Sequence, residues 1–233
     1  MASNVPDYVA LELPTTKNDW IRSDLYHNSF LISPDGTLEK AIQNSNDNGL
    51  PEIAVSAAQG KLLNLLAKSI QAKRILEVGT LGGYSTIWLA RALPEGGQLL
   101  TCELEEKHAR VAQQNVTAAG VADKVTIAVG PAADTLVKQH PDVPYDLVFI
   151  DADKPNNLTY FIEAKRLVRP GGVIIVDNVV RNGKVSDPSH TSPPSEGVRA
   201  LLAHLKDDKD VECTTIATVG EKGYDGFLYS IRK

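Results

Sequence analysis

The chain has 233 residues, of which 42% are hydrophobic and 23% charged, and its formal net charge is -5. This length supports one α/β domain with a sizeable core, and the acidic balance argues against a nucleic-acid-binding protein, which needs cations to neutralise phosphates. No apolar run approaches the roughly 20 residues of a membrane span. The N-terminal MASNVPDYVALELP lacks the basic start and long apolar stretch of a secretory signal. We therefore expect a cytoplasmic protein without a membrane partner, in which Cys102 and Cys213 are buried free thiols.

The first 50 residues are polar and irregular in pattern. Within them, NDWIRSDLYHNSF favours a helix, whereas QNSNDNGLP (43–51) is typical of a loop. The segment SAAQGKLLNLLAKSI that follows carries its leucines at helical spacing, which predicts a helix.

From residue 74 onward, strands and helices are predicted to alternate. The strands are RILEVG (74–79), QLLTCE (98–103), KVTIAVG (124–130), YDLVFID (145–151) and GVIIVDN (172–178), and the helices between them are 84–93, 104–119, 132–139 and 155–168. Such alternation indicates a parallel sheet with right-handed crossovers. After a helix at 196–208, the strands 211–219 and 225–233 are separated by a short turn, which favours antiparallel pairing. The chain is thus predicted to be an α/β protein whose mostly parallel sheet ends in an antiparallel hairpin.

A glycine-rich loop, EVGTLGGYS (77–85), follows the first predicted strand and opens a helix. Its glycines allow a ligand to approach the backbone closely, but their spacing is not the G-x-G-x-x-G of a pyrophosphate cradle. Glu77 could face a cationic group, and Glu103 ends the second strand, where an acid commonly binds ribose hydroxyls. Together these features indicate an adenosine ligand with a cationic end, such as S-adenosylmethionine. A tight turn with solvated acids is the alternative.

The stretch LVFIDADKPNN (147–157) changes abruptly from a buried strand to charged residues. Asp151 ends this strand, and Asp177 and Asn178 end the next one. Because the carboxyl ends of neighbouring parallel strands meet at one sheet edge, these side chains are expected to converge there. Their oxygen atoms suit Mg²⁺, with Mn²⁺ and Ca²⁺ as alternatives, and would leave coordination positions open for substrate. Acids that merely cap helices or face solvent are the other interpretation.

Four stretches together resemble the family of cation-dependent, S-adenosylmethionine-dependent O-methyltransferases, which includes plant caffeoyl-coenzyme A and animal catechol O-methyltransferases. These stretches are E-V-G-T-L-G-G-Y-S, G-P-A, F-I-D-A-D-K and V-D-N-V-V-R-N-G. The resemblance runs from about residue 50 to the C-terminus. It implies a class I methyltransferase (Rossmann-like) fold, with seven strands, the last antiparallel, and helices on both faces. It also implies a single domain, with 51–233 as the core and 1–50 as an extension near the substrate site, and a homodimer.

The resemblance also assigns residues to roles. It implies that Asp151, Asp177 and Asn178 bind the metal, that Lys154 matches the lysine proposed as general base in the catechol enzyme, and that Lys154 and Asp151 are the catalytic residues. The residues that it places in the S-adenosylmethionine site are Val55, Glu77, Gly79, Ser85, Glu103, Ala132, Asp151 and Asp153. A surface lysine paired with Asp153 is the alternative for Lys154.

The implied reaction is methyl transfer to one hydroxyl of a catechol-type phenolic molecule. Arg181 departs from the plant pattern, in which a tryptophan precedes Asn-Gly, so substrate identity stays open. Two other functions remain as alternatives, a nicotinamide-dependent oxidoreductase and a non-catalytic binding module of the same fold. The missing G-x-G-x-x-G argues against the first, and the intact predicted ligand set argues against the second.

Overall fold

A computed structural model describes residues 14–233, and its central feature is a seven-stranded sheet. The strands are β1 (Arg74–Val78), β2 (Gln98–Glu103), β3 (Val125–Val129), β4 (Tyr145–Ile150), β5 (Val168–Val176), β6 (Val211–Gly220) and β7 (Gly223–Arg232). Their order is β3-β2-β1-β4-β5-β7-β6, and β7 runs in the direction opposite to the other six strands. The predicted α/β sheet of class I methyltransferase type is therefore confirmed, including its antiparallel hairpin.

Helices cover both faces of this sheet, as predicted. They are α1 (Lys17–Leu31), α2 (Gly36–Asp47), α3 (Ala57–Ser69), α4 (Tyr84–Ala90), α5 (Glu106–Ala118), α6 (Ala132–Val137), α7 (Asn157–Leu167) and α8 (Pro193–Leu205), with 3-10 turns at Ala122–Lys124 and Lys154–Asn156. None of the helices in the described part of the chain has the length and apolar character that a bilayer span requires.

Helix α2 corrects the prediction of a loop at 43–51, because it continues to Asp47. The Asp35 side chain caps its start by accepting hydrogen bonds from the backbone N–H groups of Thr37 and Leu38. Leu38 and Ala41 bury one face of the helix. Asparagine-rich composition favours a loop locally, but packing of this face outweighs that preference.

Two further expectations differ from the structure. Cys213 is exposed, whereas Cys102 is buried as predicted. Cys213 lies on β6, which is the last strand of the sheet and is exposed along most of its length, so its apolar residues are not enclosed. Strand β5 begins at Val168, four residues before the predicted 172, and the β4–β5 register shifts between Tyr145 and Leu147 to accommodate the extra residues.

Alternate residues of the central strands fill two apolar layers. Ile75, Leu147 and Ile175 pack on the side of α2, α3, α4 and α5, whereas Leu76 and Val148 pack on the side of α6, α7 and α8. Burial on both faces explains why these strands are nearly continuous runs of apolar residues. From β1 the chain adds β2 and β3 on one side of the sheet, and from β4 it adds β5 on the other side. A crevice therefore opens between β1 and β4, at the carboxyl ends of these strands.

Candidate active site

A cleft of about 1200 Å³ lies at the carboxyl ends of β1 and β4. Its wall includes nearly all of the residues predicted for the site, namely Val55, Gly79, Ser85, Glu103, Ala132, Asp151, Asp153, Lys154, Asp177 and Asn178. The volume exceeds the roughly 300–1,000 Å³ that is usual for one small ligand. The cleft therefore has room for a nucleotide-sized cofactor and an acceptor side by side.

Gly79 lies directly after β1, where the backbone passes beside the end of β4. Its φ angle is +102°, and a Cβ atom at this position would lie 2.2 Å from the backbone carbonyl oxygen of Asp151. A side chain would therefore be excluded both by backbone conformation and by space. The glycine allows the loop after β1 to pass directly beside the first predicted metal ligand.

Glu103 ties the same loop to the end of β2. Its Oε2 atom accepts hydrogen bonds from the backbone N–H groups of Thr80 (3.2 Å) and Leu81 (2.7 Å), and its Oε1 atom accepts one from Glu105 (3.0 Å). A carboxylate has about four acceptor positions, so Glu103 retains capacity for a ribose hydroxyl. The acid thus shapes the loop and also lies on the cleft wall.

Glu77 lies behind the cleft wall rather than on it. Its carboxylate is fully buried and accepts hydrogen bonds from Ser85 Oγ (2.6 Å) and Thr86 Oγ1 (2.5 Å), at the start of α4. Burial raises the pKa of Glu77 to about 7, since the ionised form loses its hydration. Its predicted contact with a cationic cofactor is therefore not direct in this arrangement, and Ser85 stands between the acid and the cleft.

Asp151 and Asp177 are neighbours at the ends of adjacent strands. Ile150 pairs with Val176 in the β4–β5 ladder, and the Asp177 N–H donates to the Ile150 carbonyl oxygen at 2.9 Å. Asp177 is buried, and its pKa is raised to about 7 by burial and by the charge of Asp151. Two ionised carboxylates in such a place favour a positive partner, because a nearby cation offsets both their repulsion and their desolvation.

Lys154 supplies one positive charge beside this pair. Its side chain is buried, and Nζ lies 2.6 Å from Asp151 Oδ1. The alternative of a surface lysine paired with Asp153 is not what the structure shows, since Asp153 accepts hydrogen bonds from the Tyr160 hydroxyl and the Asn156 amide, both at 2.5 Å. The amine is therefore held at the acids and inside the cleft.

Asp225, on β7, is a site residue that the sequence patterns do not reveal. Its Oδ2 atom accepts a hydrogen bond from Asn178 Nδ2 at 3.2 Å, and its Oδ1 atom accepts from the backbone N–H groups of Val180 (3.1 Å) and Arg181 (2.8 Å). With its amide nitrogen held in this way, Asn178 keeps its Oδ1 atom available to a cation. Asn178 has a φ angle of +58°, a conformation that asparagine tolerates better than most residues.

The donor set fits a hard divalent cation. Between residues 14 and 233, no three His, Cys, Asp or Glu side chains converge to hold a metal ion. A site at this edge therefore needs the Asn178 amide in addition to Asp151 and Asp177. Two carboxylates and one amide oxygen are the ligand types that Mg²⁺ and Ca²⁺ prefer.

The fold and the cleft define a class I methyltransferase, and comparison with known proteins narrows this class. The sequence model of a family described as O-methyltransferase matches residues 33–228. Catechol O-methyltransferase of Mycobacterium tuberculosis is 48% identical over 208 residues, which cover 89% of this chain and 94% of the relative.

Two solved structures are similar along nearly their whole length. An O-methyltransferase from Bacillus cereus, in complex with SAH, has a TM-score of 0.91 and 44% identity, and the match covers 94% of this chain and 100% of that one. The O-methyltransferase TomG from Streptomyces achromogenes, in complex with SAM, has a TM-score of 0.90 and 47% identity with the same coverage.

The chain belongs to the O-methyltransferase family. It is an enzyme of this class, which transfers a methyl group from S-adenosylmethionine to an oxygen atom. This membership excludes the oxidoreductase and the non-catalytic module that the sequence had left open.

The raised pKa of Glu77 predicts a pH-dependent stability. A carboxyl whose pKa is about 7 when folded, against an ordinary 4.5, stabilises the fold fully below about pH 4.5, and this contribution is lost as pH rises through 7. The free energy of unfolding should therefore fall between about pH 5 and pH 8 in the unaltered protein. Glu77→Gln should reduce this fall by on the order of 2 kcal/mol, because glutamine does not titrate. Urea unfolding of both proteins across this range measures the difference, and parallel pH profiles would contradict the prediction.

Proposed function

We propose that this protein transfers the methyl group of S-adenosylmethionine to one hydroxyl of a catechol-type phenolic molecule, with the help of a divalent cation, Mg²⁺ first among them. The observation that carries the proposal is the convergence of Asp151, Asp177 and Asn178 beside the buried Lys154 in one cleft. The name of the Mycobacterium tuberculosis relative supports the acceptor class.

In this proposal the loop after β1 and the end of β2 bind the cofactor. Gly79, Ser85 and Glu103 border one part of the cleft, and Ala132, Asp153 and the Val55 backbone border it from the neighbouring segments. Glu103 would accept hydrogen bonds from the ribose hydroxyls. Glu77 supports Ser85 from behind through the 2.6 Å hydrogen bond between their side chains.

Asp151, Asp177 and the Asn178 amide would hold the cation. When bound, the ion stabilises the phenolate form of the acceptor, whose free pKa is about 10, and thereby supplies the nucleophile at neutral pH. Asp225 orients the Asn178 amide for this role through the hydrogen bond at Nδ2.

In this proposal Lys154 Nζ accepts the hydroxyl proton in its neutral amine form, which has a free lone pair. The acceptor oxygen then forms a bond to the methyl carbon as the carbon–sulfur bond breaks, and the sulfur leaves as the neutral thioether. Asp151 holds the amine in place, and burial of Lys154 keeps bulk water away from the proton that moves. Positioning of both reactants in one cleft contributes the remainder of the rate.

The N-terminal segment would complete the acceptor site. Asp24 of α1 lines the same cleft as the metal-site residues, together with Pro51, Glu52 and Ile53. We therefore propose that residues 14–50 belong to an extension of the single methyltransferase domain, in which Asp24 borders the acceptor rather than the cofactor.

Removal of divalent cations tests the central proposal. Dialysis against a strong chelator should abolish methylation of a catechol such as caffeate, and Mg²⁺ should restore it, because the paired acids then hold the ion again. The measurement is the rate of S-adenosylhomocysteine release with a catechol and with a matched monophenol. Full activity after exhaustive chelation, or equal turnover of the monophenol, would contradict the proposal.

The substitution Lys154→Arg distinguishes the proposed role of Lys154 as a base from its role in the ion pair with Asp151. Arginine keeps the charge beside Asp151 but does not deprotonate in proteins, so kcat should fall by about 100-fold or more. Cation affinity, measured by Mn²⁺ titration, should stay within a few-fold of the wild type. A variant with wild-type kcat across the pH range would exclude Lys154 as the base.

A homodimer is proposed from the surface of α1. This helix has no buried residue, and four of its large apolar side chains are between 60% and 72% exposed. They are Leu25, Tyr26, Phe30 and Leu31. Several large apolar side chains exposed on one helix are typical of an interface, and the resemblance names a second copy of the chain as its partner.

The oligomeric state tests this assignment. Sedimentation equilibrium should give twice the chain mass of 25.2 kDa, and Phe30→Glu should shift the protein toward monomer. Val137→Glu, which changes an exposed apolar residue on α6, serves as the control and should leave the dimer intact. A monomer at micromolar concentration in the unaltered protein would exclude the proposal.

A further inference from the structure

Three cationic side chains line the part of the cleft beyond Asn178. Arg181 and Lys184 belong to the loop after β5, and Lys222 lies in the turn between β6 and β7. Arg181 is partly buried, whereas the two lysines are exposed. This group, called here the cationic rim, surrounds the end of the cleft that the metal-site residues leave to an acceptor.

The rim has no carboxylate partner of its own. Among residues 14–233, neither Arg181, Lys184 nor Lys222 forms a salt bridge, although five other arginines do. Those five are Arg22, Arg91, Arg166, Arg169 and Arg199. Arg181 is therefore a partly buried guanidinium on the cleft wall without a carboxylate counter-charge among residues 14–233, an arrangement that suits an anionic ligand.

The acids nearest to the rim are already engaged. Asp24 Oδ2 accepts a hydrogen bond from the Glu221 N–H at 2.9 Å. Both oxygens of Asp225 accept hydrogen bonds from the loop that follows β5. The Asp225 carboxylate therefore organises the backbone of the loop after β5, and the Asp24 carboxylate holds the turn between β6 and β7 through one hydrogen bond.

The loop presents Arg181 at a defined position. Its φ angle is +55°, that of Asn182 is +56°, and the Asn182 N–H donates to the Tyr224 carbonyl oxygen at 2.8 Å. Left-handed residues persist only where surrounding contacts hold them. Arg181 is three positions after Asn178 in the chain, so their Cα atoms lie within about 11 Å of each other. A molecule spanning both points needs only a short side chain on its ring.

We propose that the cationic rim binds a carboxylate on the acceptor, so that the substrate is a small catechol with a carboxylate at the end of a short side chain. This inference rests on the proposed function and names its substrate class. Arg181 would contribute a bidentate pair, and the two lysines would add charge. Because the whole chain carries a net charge of -5, an anionic substrate needs such a local positive field at the entrance.

Arg181 stands where the plant pattern has a tryptophan before Asn-Gly. An indole offers an apolar surface, whereas a guanidinium offers charge and paired N–H donors. The exchange is the kind of difference that changes which acceptor is bound while leaving the predicted metal ligands in place.

Caffeate and its methyl ester test the inference, because they share the catechol and differ in charge. In the unaltered enzyme with Mg²⁺, kcat/KM for the acid should exceed that for the ester. Arg181→Gln should lower the acid-to-ester ratio about tenfold, the usual effect of losing one charge-assisted hydrogen bond, and Arg181→Lys should restore part of it. Arg110→Gln removes the same charge from the exposed surface of α5 and should leave the ratio unchanged.

Each outcome has a separate meaning. Equal kcat/KM for acid and ester in the unaltered enzyme, or an unchanged ratio in Arg181→Gln, would overturn the carboxylate site while the proposed methyl transfer stands. Turnover of neither compound would refute the proposed function, and the inference with it. Calorimetric titration of caffeate into the same variants gives an equilibrium check, in which Arg181→Gln should weaken binding about tenfold as well.

Discussion

The contact between Gly79 and the backbone of Asp151 is the constraint on which the site depends. A Cβ atom at Gly79 would overlap the Asp151 carbonyl oxygen, so the backbone that leaves β1 passes beside the end of β4 only because this residue is glycine. On one side of the contact lies the loop that borders the proposed cofactor position. On the other lie the acid pair and Lys154. The same close approach therefore sets the separation between the two halves of the cleft.

Electrostatic balance is the second organising principle of the cleft. Asp151 and Asp177 place two carboxylates where burial is unfavourable, and Lys154 compensates only part of this charge. The remaining imbalance is what makes a divalent cation a suitable partner. The cationic rim is the opposite case, a set of positive groups that form no salt bridge within residues 14–233. The cleft thus carries an unmatched negative charge at its centre and an unmatched positive charge at its mouth.

Membership in the O-methyltransferase family follows from the match over residues 33–228 as a whole, whereas the proposed substrate class rests on a few side chains within that range. The family match and the close structural similarity cover the sheet, its helices and the loop after β1. In our proposal, acceptor choice depends on the loops after β5 and between β6 and β7, where Arg181, Lys184 and Lys222 line the cleft. A conserved framework is compatible with many acceptors, because a loop residue can change without disturbing the sheet.

The amino-acid sequence by itself determined the seven strands, their alternation with helices and the positions of Asp151 and Asp177 at strand ends, because these follow from apolar runs interrupted at regular intervals. Tertiary structure alone decided the helix at 36–47, the exposure of Cys213, and the roles of partners distant in sequence. Asp225 lies 47 residues from Asn178, and no local pattern joins them. Likewise, Lys154 contacts Asp151 rather than Asp153, because the turn at Lys154–Asn156 directs its amine into the cleft. Local sequence specifies what each segment favours, whereas pairing between segments depends on how the sheet brings them together.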